Sequence, residues 1–286
     1  MIRPKTKILL DGGDPEETRR VKGLLGFVDG QTTNPSLIAK NPRIRQLVEA
    51  GHRLSRNEEM DEYKKIVQTI SPLVGDAGVS IEVFSDQRTQ AQEMLDQGLE
   101  MFLWIPNAYI KYPCTAEGFR AAQMSVRQGM RVNMTLCFSQ QQAAAVYAAT
   151  KGTKAPAYVS PFVGRLDDTG QNGMDVVRNI KQMLLNGDGH LQVLAASIRS
   201  LEHLFYCFVL ETELTTVPAK ILELWANKNF PMPDKQFQYK TTARPIPYED
   251  LDLEQGWESF DVQHELTRKG IDKFVADYRA TLSQSA

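Results

Sequence analysis

Short apolar runs rich in β-branched residues recur along this chain, each followed by a stretch of helical pattern. There are eight, at residues 7–10, 26–29, 79–84, 108–112, 131–136, 157–160, 192–196 and 213–217. Their near-continuous apolar character suits strands buried on both faces, and helical intervals between them imply parallel pairing. Residues 88–99, 115–128, 139–150 and 174–185 read as covering helices. Leu201, Leu204, Phe205 and Phe208 fall at i, i+3, i+4 and i+7, so that apolar stretch is a helix too, although it looks strand-like. The fold class that follows is α/β, a closed (β/α)8 barrel in preference to an open doubly wound sheet. No glycine-rich dinucleotide turn follows the first strand, which weakens the open-sheet alternative.

Two stretches exceed a minimal barrel. Helical patterns at residues 43–54 and 60–73 separate the second and third strands, and residues 230–255 are polar and carry Pro231, Pro233, Pro245 and Pro247. The latter segment is expected to wander over the surface. A final helix is expected to open near Asp261, with Leu266, Ile271, Phe274, Val275, Tyr278 and Leu282 on one apolar stripe. Such a stripe must dock on something. The leading expectation is the outside of the barrel; closure over the mouth of the site or over a neighbouring subunit are the alternatives. The division is therefore a barrel over residues 1–229 and an extension over residues 230–286, both within one domain.

A net charge of −2 leaves no electrostatic footprint for nucleic acid or an anionic membrane. Cys114, Cys137 and Cys207 are odd in number and in no metal-ligand spacing, so they read as small buried hydrophobes. The opening MIRPKTKILLDGG holds no apolar stretch long enough for a signal peptide or a membrane span, and a cytoplasmic location is the expectation.

In barrels of this kind chemistry sits at the C-terminal ends of the strands. Those ends carry Asp11; Thr32, Thr33 and Asn34; Glu82; Lys111; Asn133 and Thr135; Ser160 and then Arg165; Ser197 and then Arg199. One ionisable residue in an apolar strand has a bland explanation, an outward side chain or a structural ion pair. Three of them, Asp11, Glu82 and Lys111, on three strands of one barrel converge on a pocket whose desolvation cost points to function. None of the four histidines, His52, His190, His203 and His264, lies at a strand end. That disfavours a His-based metal hydrolase and a Ser-His-Asp triad. A lysine in an apolar barrel loses its proton more readily, because desolvation disfavours the charged form. The neutral amine can attack a ketone and form an iminium, an electron sink for carbon–carbon cleavage. Arg165 and Arg199, flanking strands 6 and 7, suit an anion such as phosphate.

These segments resemble transaldolases. Thr32-Thr33-Asn34-Pro35-Ser36-Leu37-Ile38 is similar to the family's motif after strand 2, and Lys111-Tyr112-Pro113-Cys114-Thr115-Ala116-Glu117-Gly118 to the segment bearing its Schiff-base lysine. Ser160-Pro161-Phe162-Val163-Gly164-Arg165 with Asp167, Ala196-Ser197-Ile198-Arg199, and the closing HELTRKGIDKF complete a resemblance running from about Leu9 to Tyr278. The resemblance implies transfer of a dihydroxyacetone unit from a ketose phosphate to an aldose phosphate, as in the non-oxidative pentose phosphate pathway, without metal or organic cofactor. It implies Lys111 as the attacking amine and Glu82 as a proton shuttle through a water also held by Thr135. Asp11 is implied as the base at the C4 hydroxyl. Asn34, Asn133 and Ser160, with Thr33 and Phe162, are implied on the bound three-carbon unit, and Arg165, Ser197 and Arg199 on the phosphate. The partners implied are sugar phosphates, and association of identical chains stays open.

Gly12 and Gly13 stand where family members often have small hydroxyl residues, so a hydrogen bond steadying Asp11 is expected to be missing; a tight loop is the alternative reason for them. Tyr112 is bulkier than the usual aliphatic neighbour of the lysine. The nearest rival reading is the fructose-6-phosphate aldolase branch, which releases free dihydroxyacetone. That branch has Gln in place of Glu82 and Tyr in place of Phe162, so this chain sides with the transferases. A silent sugar-phosphate-binding barrel is the rival of another class, and intact Lys111, Glu82 and Asp11 argue against it.

Overall fold

In the computed structural model, which describes residues 3–234 and 236–282, eight parallel strands close on one another in chain order. They are β1 (Lys7–Asp11), β2 (Gly30–Thr32), β3 (Gly78–Glu82), β4 (Ala108–Pro113), β5 (Val132–Cys137), β6 (Ala157–Pro161), β7 (Leu191–Ala195) and β8 (Leu214–Val217), and β8 pairs back onto β1. Around and above them lie α1 (Pro15–Leu25), α2 (Pro35–Ala39), α3 (Pro42–Glu49), α4 (Arg56–Ile70), α5 (Ala91–Phe102) and α6 (Ala116–Arg127). They are followed by α7 (Gln140–Thr150), α8 (Val163–Asp167), α9 (Gly173–Leu184), α10 (Leu201–Val209), α11 (Ala219–Asn227) and α12 (Glu265–Arg279). Many of these helices begin where the sequence supplies a side-chain acceptor. Asp14, Thr115, Ser139 and Ser200 cap α1, α6, α7 and α10, and Ser55 with Glu58 forms a capping box on α4.

The period of two along each strand divides the apolar residues into two layers. Ile8, Leu10, Ile110, Tyr112, Val159, Val193 and Val217 belong to the large cluster packed under the helices. Leu9, Ala77, Tyr109, Tyr158, Leu194 and Leu214 form a separate cluster, the plug inside the barrel, where the Tyr109 and Tyr158 rings stack at 4.2 Å. Two residues beyond four of the plug positions, the same inward face meets the open end of the barrel. Leu9 leads to Asp11, Tyr109 to Lys111, Tyr158 to Ser160 and Leu214 to Thr216. The alternation that fills the floor thus also aims the polar residues above it.

Two expectations are corrected. The second strand is Gly30–Thr32, not residues 26–29: Gly26, with φ of 78°, ends α1 by donating to Lys22 O at 2.8 Å. Asp29 turns its carboxylate back to Ile8 N at 2.8 Å and to Arg3. The final helix begins at Glu265, capped by His264 rather than near Asp261, and it does not pack on the outside of the barrel. It lies over the C-terminal end of β5 and against α2. Thr267 donates to Leu136 O at 2.9 Å, and Gln87 from the β3–α5 loop donates to Arg268 O at 3.1 Å. The proline-rich segment before it holds neither helix nor strand among its described residues up to Gly256. It is strapped to the barrel where Asn179 donates to Pro247 O, Ile246 N to Asp175, and Glu249 N to Gln140.

The far end of α12 is held by a buried acid. Glu59 on α4 accepts from Thr281 Oγ1 at 2.9 Å, while Leu54 N donates to Thr281 O at 3.1 Å. Burial pushes the Glu59 carboxyl up to about 7 from an ordinary 4.5. The folded chain therefore keeps a proton there that the unfolded chain has already released. Its stabilising contribution is complete below pH 4.5, falls as pH rises through about 7, and is flat above that. Glu59→Gln keeps the acceptor and removes the ionisation. It is expected to stabilise the protein by about 3 kcal/mol at pH 8 and to change nothing near pH 4. Chemical denaturation at both pH values checks this; an equal shift at both contradicts it.

Candidate active site

At the mouth of the barrel, β-ladder register sets side chains side by side. Glu82 pairs with Lys111 across β3 and β4, Lys111 with Asn133 across β4 and β5, and Asp11 with Thr32 across β1 and β2. Lys111 Nζ lies 2.9 Å from Glu82 Oε2, both residues 3 % exposed, and donates to Thr33 O at 2.9 Å. Burial pushes the Glu82 carboxyl up, with Lys111 opposing. Asp11 behaves alike: burial raises it, while Lys111, the Thr32 hydroxyl and Arg165 pull it down. Thr32 donates to Asp11 Oδ1 at 2.9 Å and shares a 2.6 Å hydrogen bond with Thr216. Thr135 Oγ1 is buried without a hydrogen-bond partner among the described residues. The arrangement is an amine beside a desolvated carboxyl, with a second carboxylate close enough to feel the amine's charge. Such a pair can exchange a proton locally and present the free amine to an electrophile.

Asp11, Thr32, Lys111, Thr135 and Thr216 line a cavity of ≈ 490 Å³, with Asn34, Ser160, Phe162 and Ser197 also on its wall, while Glu82 stands behind Lys111. Asn34 Oδ1 is committed to Leu37 N as the cap of α2, which leaves its amide N–H groups to face the cavity. Ser197 has φ of 58°, uncommon for a residue with a side chain, and its carbonyl accepts from Gly164 N at 3.0 Å. Arg165 is half-buried. Its guanidinium lies 5.0 Å from the Phe162 ring centroid, and its N–H groups have no acceptor among the described residues. Desolvation lowers its pKa. Arg199 also lines the cavity, but its side chain is paired with Asp168.

Two sequence-derived site residues lie elsewhere. The Thr33 hydroxyl is turned away from the cavity, donating to Ser80 O at 2.8 Å and bonding the Tyr63 hydroxyl at 2.6 Å. Only its carbonyl reaches Lys111. Asn133 sits one layer down, donating to Ser80 Oγ at 3.0 Å and accepting from Ser160 Oγ at 2.7 Å. It orients Ser160 rather than lining the cavity. The two departures in sequence also find physical reasons. A Cβ on Gly13 would stand 2.8 Å from Leu37 O, so the loop after β1 passes too close to α2 for a side chain, and Thr32 supplies the hydrogen bond to Asp11. Tyr112 points away from the site and bonds the Ser125 hydroxyl at 2.9 Å.

Sequence reasoning missed Lys40 and Thr216, and gave only as an alternative the closure of α12 over the mouth, which brings Leu266, Lys269, Gly270, Lys273 and Phe274 to the cavity wall. Thr216 was legible, since it follows Leu214 by two on an inward face. The others come from helices whose position over the mouth is a tertiary fact.

Comparison with known proteins points to one family. Residues 8–285 match the family model described as Transaldolase/Fructose-6-phosphate aldolase. A protein of Dehalococcoides mccartyi named "Probable transaldolase" is 39% identical over 275 residues, 96% of this chain and 98% of that one. One of the same name from Herpetosiphon aurantiacus is 36% identical over 96% of this chain and 95% of its own. A third, from Maricaulis maris, is 32% identical over 90% and 89%. No helix among the described residues is long and apolar enough to cross a membrane.

Proposed function

We propose how this enzyme works from one premise: the chain belongs to the transaldolase/fructose-6-phosphate aldolase family, and its function is of transaldolase type. The observation that carries the reading is the buried Lys111–Glu82 pair at 2.9 Å, opening on a cavity that also holds Asp11 and an unpaired Arg165. Lys111, once neutral, adds to the C2 carbonyl of a ketose phosphate. Glu82 takes the amine's proton and returns it to the departing oxygen, so that water leaves and an iminium forms. Asp11 removes the proton of the C4 hydroxyl, the C3–C4 bond breaks, and the electron pair is stored as an enamine while an aldose phosphate departs. An acceptor aldose phosphate then adds to the enamine carbon, and hydrolysis frees Lys111. Thr135 holds the water through which Glu82 works, Asn34 and Ser160 hold the hydroxyls of the three-carbon unit, and Arg165, Ser197 and Arg199 hold the phosphate. Within this reading the chain acts in the cytoplasm, in the non-oxidative pentose phosphate pathway.

Transfer rather than release is the branch we favour, on Phe162. Its ring stands at the wall as an apolar surface, 8 % exposed, with no proton to offer the enamine. A panel of ketose phosphates with and without erythrose 4-phosphate tests this directly, and turnover is expected only with the acceptor. Turnover without acceptor would assign the chain to the aldolase branch, and no turnover on any member would leave a binding barrel.

Phe162→Tyr sharpens the point. A phenol there can protonate the enamine, so acceptor-independent release of dihydroxyacetone is expected to rise about tenfold or more. The ring remains for Arg165 to stack on. An unchanged ratio of transfer to release, measured as free dihydroxyacetone with and without acceptor, would show that Phe162 serves packing alone.

A further inference from the structure

Arg165 lies against two aromatic rings. The Phe162 ring centroid is 5.0 Å from its guanidinium carbon, and that of Phe274, on α12 and more than a hundred residues later in the chain, is 5.3 Å from it. Phe274 is buried at 6 % exposure and also lines the cavity. One helical turn earlier, a Cβ on Gly270 would stand 2.6 Å from Arg165 Nη1 and 2.6 Å from Leu136 Cδ2. The helix therefore presses a ring onto the arginine at one position and removes a side chain to make room for it at another.

We propose that Phe274 is a positioning residue for the anion-binding arginine: α12 supplies the second face of an aromatic clamp that holds the Arg165 guanidinium flat, with its N–H edge presented to the substrate's phosphate. Stacking engages the faces of a guanidinium and leaves its in-plane donors free, and these donors match a phosphate's oxygens two at a time. An unclamped arginine must lose side-chain freedom each time a phosphate binds; here the clamp has removed that freedom beforehand. Arg199 shares the phosphate but is tethered by Asp168 and stacks on neither ring, so the clamp acts on Arg165 alone. The inference rests on the reading of Arg165 as a phosphate ligand, and it makes α12 part of the specificity site in addition to its being a cover.

The test is the preference for phosphorylated donor, taken as the ratio of kcat/KM for fructose 6-phosphate to that for fructose. Phe274→Leu keeps apolar volume and removes the π face, and it is expected to lower this ratio about fivefold to tenfold. Phe274→Tyr keeps the face and is expected to restore it to within about twofold. Gly270→Ala, which displaces the arginine without touching the ring, is expected to lower the ratio as Phe274→Leu does. Arg165→Ala serves as the reference. If it lowers kcat/KM equally for both donors, the phosphate reading itself fails. If it acts selectively while Phe274→Leu and Gly270→Ala leave the ratio unchanged, only the clamp is overturned. If Phe274→Leu does not fold, Phe274→Tyr and Gly270→Ala still decide, since a ratio preserved in both contradicts the proposal.

Discussion

Lys111→Ala is expected to lower turnover by roughly 10⁴-fold or more, because it removes the amine proposed to form the covalent intermediate. Three further lysines, Lys40, Lys269 and Lys273, line the same cavity, and they are the real competitors for the role. They are exposed at the rim, with Lys269 and Lys273 paired to Glu265 and Asp277. Only Lys111 combines 3 % exposure, a carboxyl partner at 2.9 Å and a place between Asp11 and Thr135. Borohydride reduction in the presence of a ketose phosphate should add mass to the peptide containing Lys111 and to no other. Label on Lys40, Lys269 or Lys273 in the wild-type chain would sink the assignment. The substitution strands the Glu82 carboxyl without its cation, and burial then favours its neutral form, so the barrel is expected still to fold. A cooperative thermal transition in the variant, alongside the missing adduct, separates lost chemistry from lost structure.

The position of the lysine proposed as nucleophile was readable because a barrel strand carries its own ruler. Alternation places Lys111 two residues beyond a plug tyrosine, and the same count places Asp11, Ser160 and Thr216. Counting failed where local chemistry overrode apolar content: residues 26–29 look like a strand, but Gly26 is bound to the end of α1 and Phe27 and Val28 only pack the link. α1 itself went unread because its buried face is just Thr18, Val21 and Leu25 within a polar stretch, although Asp14-Pro15 was a visible start signal. The apolar stripe on α12 left its partner open, with closure over the mouth only an alternative to the outside of the barrel. Its period shows that one face is covered, and nothing in a period names the surface that covers it. Thr33 and Asn133 show the same limit at finer scale. Each lies near the lysine in the ladder, yet Tyr63 and Ser80 draw their polar atoms down and away from the cavity.

Glu82→Gln is expected to slow iminium formation about 10²- to 10³-fold while leaving Lys111 as the labelled residue. The amide keeps the shape of the carboxyl and can still accept from Nζ, so packing is nearly conserved. What it loses is the ability to take a proton from the ammonium. In the wild-type site that transfer spans 2.9 Å between two buried groups, and burial, the largest influence on Glu82, makes its carboxylate a better base than one in water. Iminium formation needs the carboxylate free, so its rate falls as pH drops through the Glu82 ionisation, which lies above the ordinary carboxylate range. The Gln variant should lose this acidic limb. Asp11 is raised as well and could produce a limb of its own, so overall turnover would be ambiguous. Borohydride trapping resolves the matter, because it reports iminium formation and not the later cleavage. Asp11→Asn should leave the trapping rate and its pH profile intact and stop release of the aldose phosphate. If instead the trapping profile of Glu82→Gln keeps its acidic limb, proton transfer from Lys111 runs through another group, and Asp11, the second carboxylate that Lys111's charge reaches, becomes the one to examine.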